Sequence, residues 1–237
     1  MSRIGIRTVN KVHIIGLPFS TYTRSVQLFC ELIGVNYTLA MSHADKAIEM
    51  HDKHHRKLHP MAKIPILIDG DTHLCETTAI LHYLNDSYAS GEFLKLDPIG
   101  RAHQLERMSL LSHYVNNALI RDYALELALP KGKGGEVRVQ WMMENKSAAL
   151  DAVKIVETWL AENQFLAGST WSLVDMMALP SLYYVSLLPR ELALLTPHSP
   201  LHQYLNNVRK HSGAKKVLQP ANINASDSQS AKLASQG

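Results

Sequence analysis

The chain has 237 residues, room for one large domain or two modest ones, and its 46% hydrophobic and 19% charged content is that of an ordinary globular protein in water. Its formal net charge of +3 is spread along the chain, without the basic stripe that nucleic-acid binding requires. Cys30 and Cys75 supply neither a disulfide framework nor a metal-binding cysteine motif; both sit in apolar segments and read as buried structural thiols of a reducing compartment.

The first ten residues, MSRIGIRTVN, lack the apolar core and cleavage site of a secretory signal. The most apolar later stretch, residues 173–188, is short and interrupted by Asp175 and Pro180. A cytoplasmic protein without membrane or nucleic-acid partners is the expectation.

Residues 12–15 are a short β-branched run stopped by Gly16 and Pro18, which predicts a strand. From Arg24 onward Val26, Phe29, Cys30 and Ile33 recur at helical spacing, and Gly34 is a natural stop. Tyr37, Leu39 and Met41 alternate with polar neighbours, predicting a second strand. Residues 44–59 are charged and histidine-rich with few apolar anchors, the pattern of a short, exposed, mobile helix. Two short strands, 64–68 and 72–75, flank an Asp69-Gly70-Asp71 turn as a β-hairpin, and 77–88 follow as a helix with Ile80, Leu81 and Leu84 on one side. In this β-α-β-α-β-β-α order a right-handed crossover makes the first two strands parallel.

Residues 89–100 carry glycines and a proline without periodicity and read as a linker. Beyond them the strand signal disappears. Leu105, Met108, Leu111, Val115 and Leu119 predict one long amphipathic helix; Met142, Ala149, Val153, Val156 and Leu160 predict another. Between them 130–135 (PKGKGG) form a flexible break. A more apolar helix starts near Leu173 and a last one runs over 201–210. Residues 219–237, polar and without aromatics, are expected to be disordered. The domains are then 1–88 and 101–218.

Three short motifs carry the chemistry: Ser20-Thr21-Tyr22-Thr23-Arg24-Ser25-Val26 at the entry to the first helix, Lys63-Ile64-Pro65 ahead of the hairpin, and Glu76-Thr77 at the start of the third helix, with eleven residues from Pro65 to Glu76. None is specific alone. In this order and spacing they resemble the glutathione site of cytosolic glutathione S-transferases, of the bacterial-type, serine-loop kind. The resemblance covers about residues 11–218. It implies an α/β plus all-α chain, with a thioredoxin-like N-terminal domain that binds glutathione and an all-helical C-terminal domain. It also implies a homodimer and a transferase that activates the glutathione thiolate against small electrophiles, as in detoxification.

Within that resemblance Ser20 is the candidate catalytic residue, with Thr21 and Tyr22 as rivals, because adjacent hydroxyls cannot be ranked without geometry. A hydroxyl at a helix N-terminus can donate a hydrogen bond to an anion while the helix dipole adds to it. Lowering a thiol pKa of about 8.5 by roughly two units takes about 2.7 kcal/mol, the order such a bond plus dipole supplies. Plain helix capping is the bland alternative for Ser20. No cysteine occupies this loop, which argues against the branch that forms mixed disulfides here.

Pro65 would follow a cis bond, letting Ile64 offer its backbone N–H and C=O to the cysteinyl unit like an added strand. Glu76 and Thr77 would hold the γ-glutamyl end. Lys63, His51 and Lys53 are the candidate cations for the glycyl carboxylate. His51, His54, His55 and His59 invite a metal reading, but no motif places an acidic or cysteine co-ligand; a solvated polar face is the better account, and no metal is expected. Residues 172–175 form a capping box, with Trp171 able to staple onto Met176. The second substrate would meet Tyr114, Asn117, Arg121 or Tyr123; the bland alternative is that Tyr114 is core and Arg121 solvated. Two alternatives stand beside the transferase: a non-catalytic binding or scaffold relative, and a glutathione-dependent disulfide reductase or isomerase.

Overall fold

The protein is described by a computed structural model over residues 11–161 and 163–221, and β1 (Val12–Ile15) lies inside its main sheet. Side chains alternate across a strand. Val12 and Ile14 accordingly enter the main core, and Ile15 packs on the other side with Ile48 and Ile66. β2 (Tyr37–Ala40) runs parallel to β1, β5 (Ile66–Asp69) antiparallel to it, and β6 (Thr72–Cys75) closes the sheet as the hairpin partner of β5, giving the order β2-β1-β5-β6. α1 (Thr21–Ile33) supplies the crossover from β1 to β2, ending at Gly34 in the left-handed region with φ 72°. α1 packs against α3 (Thr77–Tyr88) within the main core, where Phe29, Ile80, Leu81 and Leu84 are fully buried.

Residues 44–59 depart from the expected exposed helix. Ala44 and Asp45, both at positive φ, turn the chain between two-residue strands β3 (Ser42–His43) and β4 (Lys46–Ala47), and only a six-residue α2 (Lys53–Leu58) is helical. The stretch is anchored rather than loose. Ile48, Met50, His55 and His59 are buried, so two of the histidines act as core residues.

The helical part begins earlier than the composition implied. Asp97 accepts from the Gly100 N–H at 2.6 Å and Pro98 occupies the first turn, so α4 (Pro98–Leu110) starts inside the stretch read as a linker. The helix continues as two π-wound stretches, Leu111–Val115 and Asn117–Ala124, into α5 (Leu125–Ala128). α6 (Val139–Leu160), α7 (Leu173–Ser186), α8 (Pro200–Val208) and α9 (Ser212–Val217) follow; α9 has no counterpart in the sequence reading. Among the described residues no helix is long and apolar enough to cross a membrane.

Two buried carboxylates fix this helical half. Asp175, fully buried at the head of α7, accepts from the Leu166 and Ser172 N–H groups at 2.9 Å and from the Ser172 and Tyr204 hydroxyls at 2.6 Å, tying α7 to α8. Trp171 lies against Phe165 and His211. Glu126 accepts from the backbone N–H of Lys131 and Arg138, and from the Arg138 guanidinium at 2.7 Å. It thereby fastens both sides of the glycine-rich 130–135 stretch read as a flexible break, which contains a 3-10 turn (Lys133–Gly135).

Cys30 is buried and its thiol is pushed up to about 12 by that burial. Cys75 is only half-buried and donates to the Leu58 carbonyl at 3.0 Å. Of the tail expected to be disordered, Gln219 is held by a hydrogen bond from Arg24 to its carbonyl at 2.6 Å; residues 222–237 lie outside the described residues.

Asp175→Ala leaves the Leu166 N–H and Tyr204 hydroxyl buried and unpaired, and should destabilise the fold by about 3 kcal/mol or more in chemical denaturation. Glu126 gives a pH signature. Burial raises its pKa, but the bonds from Arg138 and the two backbone N–H groups outweigh it and hold the carboxyl at about 2. A depressed carboxyl pKa stabilises the fold above its unfolded value and loses that contribution as pH falls toward the folded one. The stability gap between wild type and Glu126→Gln should therefore be full above about pH 4.5 and close toward about pH 2.

Candidate active site

A cleft of about 780 Å³ opens where the loop after β1, the segment before β5, the start of α3 and the π-wound helix converge. The β1–α1 loop is built around close approach. A side chain at Gly16 would meet Thr23 at 2.5 Å, so glycine must follow the strand for α1 to pack as it does. Ser20 is the N-cap of α1 and half-buried at the cleft wall. Its Oγ accepts from the Thr23 N–H at 3.4 Å, a long bond that leaves its own proton uncommitted among the described residues. The neighbouring hydroxyls are committed: Thr21 donates to the Asn116 side chain at 3.4 Å, and Tyr22 donates to the Ser112 carbonyl at 3.1 Å. Burial also pushes the Tyr22 phenol above its ordinary value, only partly offset by the charge of Arg121.

Across the cleft the Ile64–Pro65 bond is cis, and Ile64 makes no backbone hydrogen bond with another described residue. The segment is held from behind by His55, whose Nε2 lies 3.0 Å from the Lys63 carbonyl while its Nδ1 accepts from the His51 N–H. The Lys63 ammonium is buried without a hydrogen-bond partner among the described residues; burial, and then the charge of Arg121, lower its pKa. His59 Nδ1 accepts from the Met61 N–H at 3.1 Å, which puts the proton of the neutral ring on Nε2, 3.6 Å from Glu76 Oε1. Glu76 sits at φ 66°, outside the comfortable range of a residue with a side chain, and does not cap α3. The N–H groups of the first turn of α3, beginning at Thr77, are thus left without a side-chain cap at the cleft wall.

Not every expected site residue reaches the cleft. Lys53 is exposed on α2 and His51 lies outside the lining, at φ 68°. Tyr114 is 67% exposed on the helix surface and Tyr123 is core, its hydroxyl donating to the Leu192 carbonyl at 2.9 Å. Asn117 and Arg121 do line the cleft. The cause is the winding: at α-helical spacing Tyr114, Asn117 and Arg121 share a face, but π turns shift the phase between them. His54 is turned toward the His43 ring, and among the described residues no three His, Cys, Asp or Glu side chains are grouped to hold a metal ion.

Sequence reasoning missed several lining residues. Asn116 is buried and accepts from Thr21 and, at 2.6 Å, from Ser181. Tyr184 donates to the Phe19 carbonyl at 2.7 Å. Pro220 and Ala221, in the stretch read as tail, reach the cleft because Gln219 is fastened to Arg24. Of these only Tyr184 had a legible signal, an aromatic on an otherwise apolar helix.

Comparison with known proteins gives this architecture a family. Residues 14–92 match the glutathione S-transferase N-terminal domain and residues 118–211 the glutathione S-transferase C-terminal domain. Glutathione S-transferase T2 of Arabidopsis thaliana is 24% identical over 84% of this chain, which spans only 35% of that protein's length. Glutathione S-transferase APIC of Nicotiana tabacum is 29% identical over 74% of this chain and 81% of its own length. The fold matches the theta class glutathione S-transferase of Xanthomonas axonopodis pv. citri, solved with glutathione bound, at a TM-score of 0.74 and 21% identity over 89% of this chain and 98% of that one. Poplar glutathione transferase F1 matches at 0.74 and 21% over 88% and 97%. With both family domains in order and the fold to match, the chain belongs to the glutathione S-transferase superfamily.

Proposed function

We propose that the protein is a glutathione transferase in which Ser20 holds the glutathione thiolate for attack on a small electrophile. The observation that carries this reading is the uncommitted Ser20 hydroxyl at the head of α1, in the same cleft as Ile64, Pro65 and the uncapped start of α3. Extended glutathione can pair its cysteinyl backbone with the free N–H and C=O of Ile64, as an added strand does. Its γ-glutamyl carboxylate then meets the first turn of α3 and the Thr77 hydroxyl, where the helix dipole favours an anion. Glu76 answers the ammonium group. The glycyl carboxylate goes to Lys63, since His51 and Lys53 lie outside the cleft and a buried ammonium without a counter-ion is improved by one.

With the tripeptide so held, sulfur falls at Ser20. A two-unit depression of its pKa is worth about 2.7 kcal/mol, comparable to what removal of a single oxyanion donor costs in other enzymes. On the same reading residues 1–88 bind glutathione, residues 101–218 contribute the electrophile side, and the enzyme acts as a homodimer in the reducing cytoplasm. No metal takes part in the proposed chemistry.

Ser20→Ala should lower kcat/KM by about 100-fold or more and raise the pH at which bound thiol ionises by roughly two units, read by ultraviolet titration of the thiolate. Tyr22→Phe and Thr21→Val should each cost less than about tenfold, since their hydroxyls serve Ser112 and Asn116. A larger loss in Tyr22→Phe than in Ser20→Ala would move the thiol to the phenol. By calorimetry, Glu76→Gln and Lys63→Met should each weaken glutathione binding about tenfold, the range for a hydrogen bond to a charged group. Wild-type protein that takes up no glutathione would overturn the function.

A further inference from the structure

On the transferase reading the cleft holds one full cation that the pairing with glutathione leaves unassigned. Among its described lining residues Lys63 and Arg121 are the full cations and Glu76 is the single carboxylate. On the transferase reading the charges of the tripeptide are matched one by one: Glu76 to the ammonium, the head of α3 to one carboxylate, Lys63 to the other and Ser20 to sulfur. Arg121 is left over.

Its position gives the surplus a direction. Arg121 lies in the π-wound stretch Asn117–Ala124 on the helical side of the cleft. It enters no hydrogen bond or ion pair among the described residues, although its charge reaches both Tyr22 and Lys63 and favours the deprotonated form of each. It is therefore within electrostatic range of both the sulfur end and the Lys63 end of the site. The wall beyond it is apolar, formed by Ile120, Ala124, Leu125, Met177, Leu187 and Leu188. An apolar pocket with one unpaired guanidinium is suited to an apolar body carrying one anionic group, because the planar fork takes a carboxylate through two parallel bonds.

We propose that the second substrate is an apolar electrophile bearing a carboxylate or chemically similar anion, and that Arg121 is the residue that selects it. This deepens the transferase reading and rests on it.

A matched pair of chloroarenes tests it: 4-chloro-3,5-dinitrobenzoate, anionic, and its neutral methyl ester. In both, the thiolate sulfur bonds to the ring carbon that bears chlorine. The ring and nitro groups carry the negative charge until the C–Cl bond breaks and chloride leaves with the electron pair; the thiol proton has already passed to solvent. The readout is the ratio of kcat/KM for the acid to that for the ester. It should fall about tenfold in Arg121→Gln, recover in part in Arg121→Lys, and decline in wild type as salt rises, because an exposed guanidinium is screened. Arg121 is exposed and without a protein partner, so folding of the variants is not at issue.

A ratio that does not move overturns the proposal while leaving the transferase standing. A rise in the KM for glutathione with an unmoved ratio does the same, and gives Arg121 to a glutathione carboxylate. Failure of wild type to conjugate either arene or to bind glutathione overturns both readings.

Discussion

The guanidinium of Arg24 is buried without a carboxylate beside it among the described residues, and the site is assembled around how it is satisfied. Nε donates to the Pro18 carbonyl at 2.7 Å, Nη1 to the Gln219 carbonyl at 2.6 Å, and the group lies 4.9 Å from the centre of the Tyr184 ring. A buried charge must be hydrogen-bonded or the fold loses several kcal/mol. Meeting that requirement joins the loop that presents Ser20, the helix α7 that carries Tyr184, and residues 219–221. Tyr184 returns the connection by donating to the Phe19 carbonyl. The loop that carries Ser20 is held from the helical side as well as by its own helix.

The same economy of partners distinguishes the three hydroxyls of the loop. Thr21 and Tyr22 are bound into the interface with Asn116 and Ser112, where they hold α1 against the π-wound helix. Ser20 stands one residue earlier and escapes that duty. A residue that fastens two domains cannot also release its proton to a ligand without loosening them. Which hydroxyl is committed and which is not follows from the neighbour each one meets across the cleft.

Much of this was legible in the sequence, and the parts that were not share a physical cause. β-branched runs, the Asp-Gly turn, Gly34 and the Asp175 cap are local signals, and the structure follows them. Motif spacing brought Ser20, Lys63, Pro65, Glu76 and Thr77 to one cleft. The misreadings arise where tertiary contacts override composition. Histidines in 44–59 look solvated, yet His55 and His59 are held by backbone groups of the neighbouring loop. Gln219 looks like tail, yet it answers a buried cation. Tyr114 was placed by a period of 3.6 residues that the helix abandons after Leu110.

That change of winding bears on how the cleft can diverge. A π turn accommodates an extra residue within a helix whose two ends stay fixed by their own packing, here Met108 on one side and the Glu126 anchor on the other. Loss or gain of a single codon between them would rotate a different set of side chains into the opening while both anchors held. Selectivity in such a wall is adjustable by phase, like shifting a row of teeth on a rack, without redesign of any one side chain.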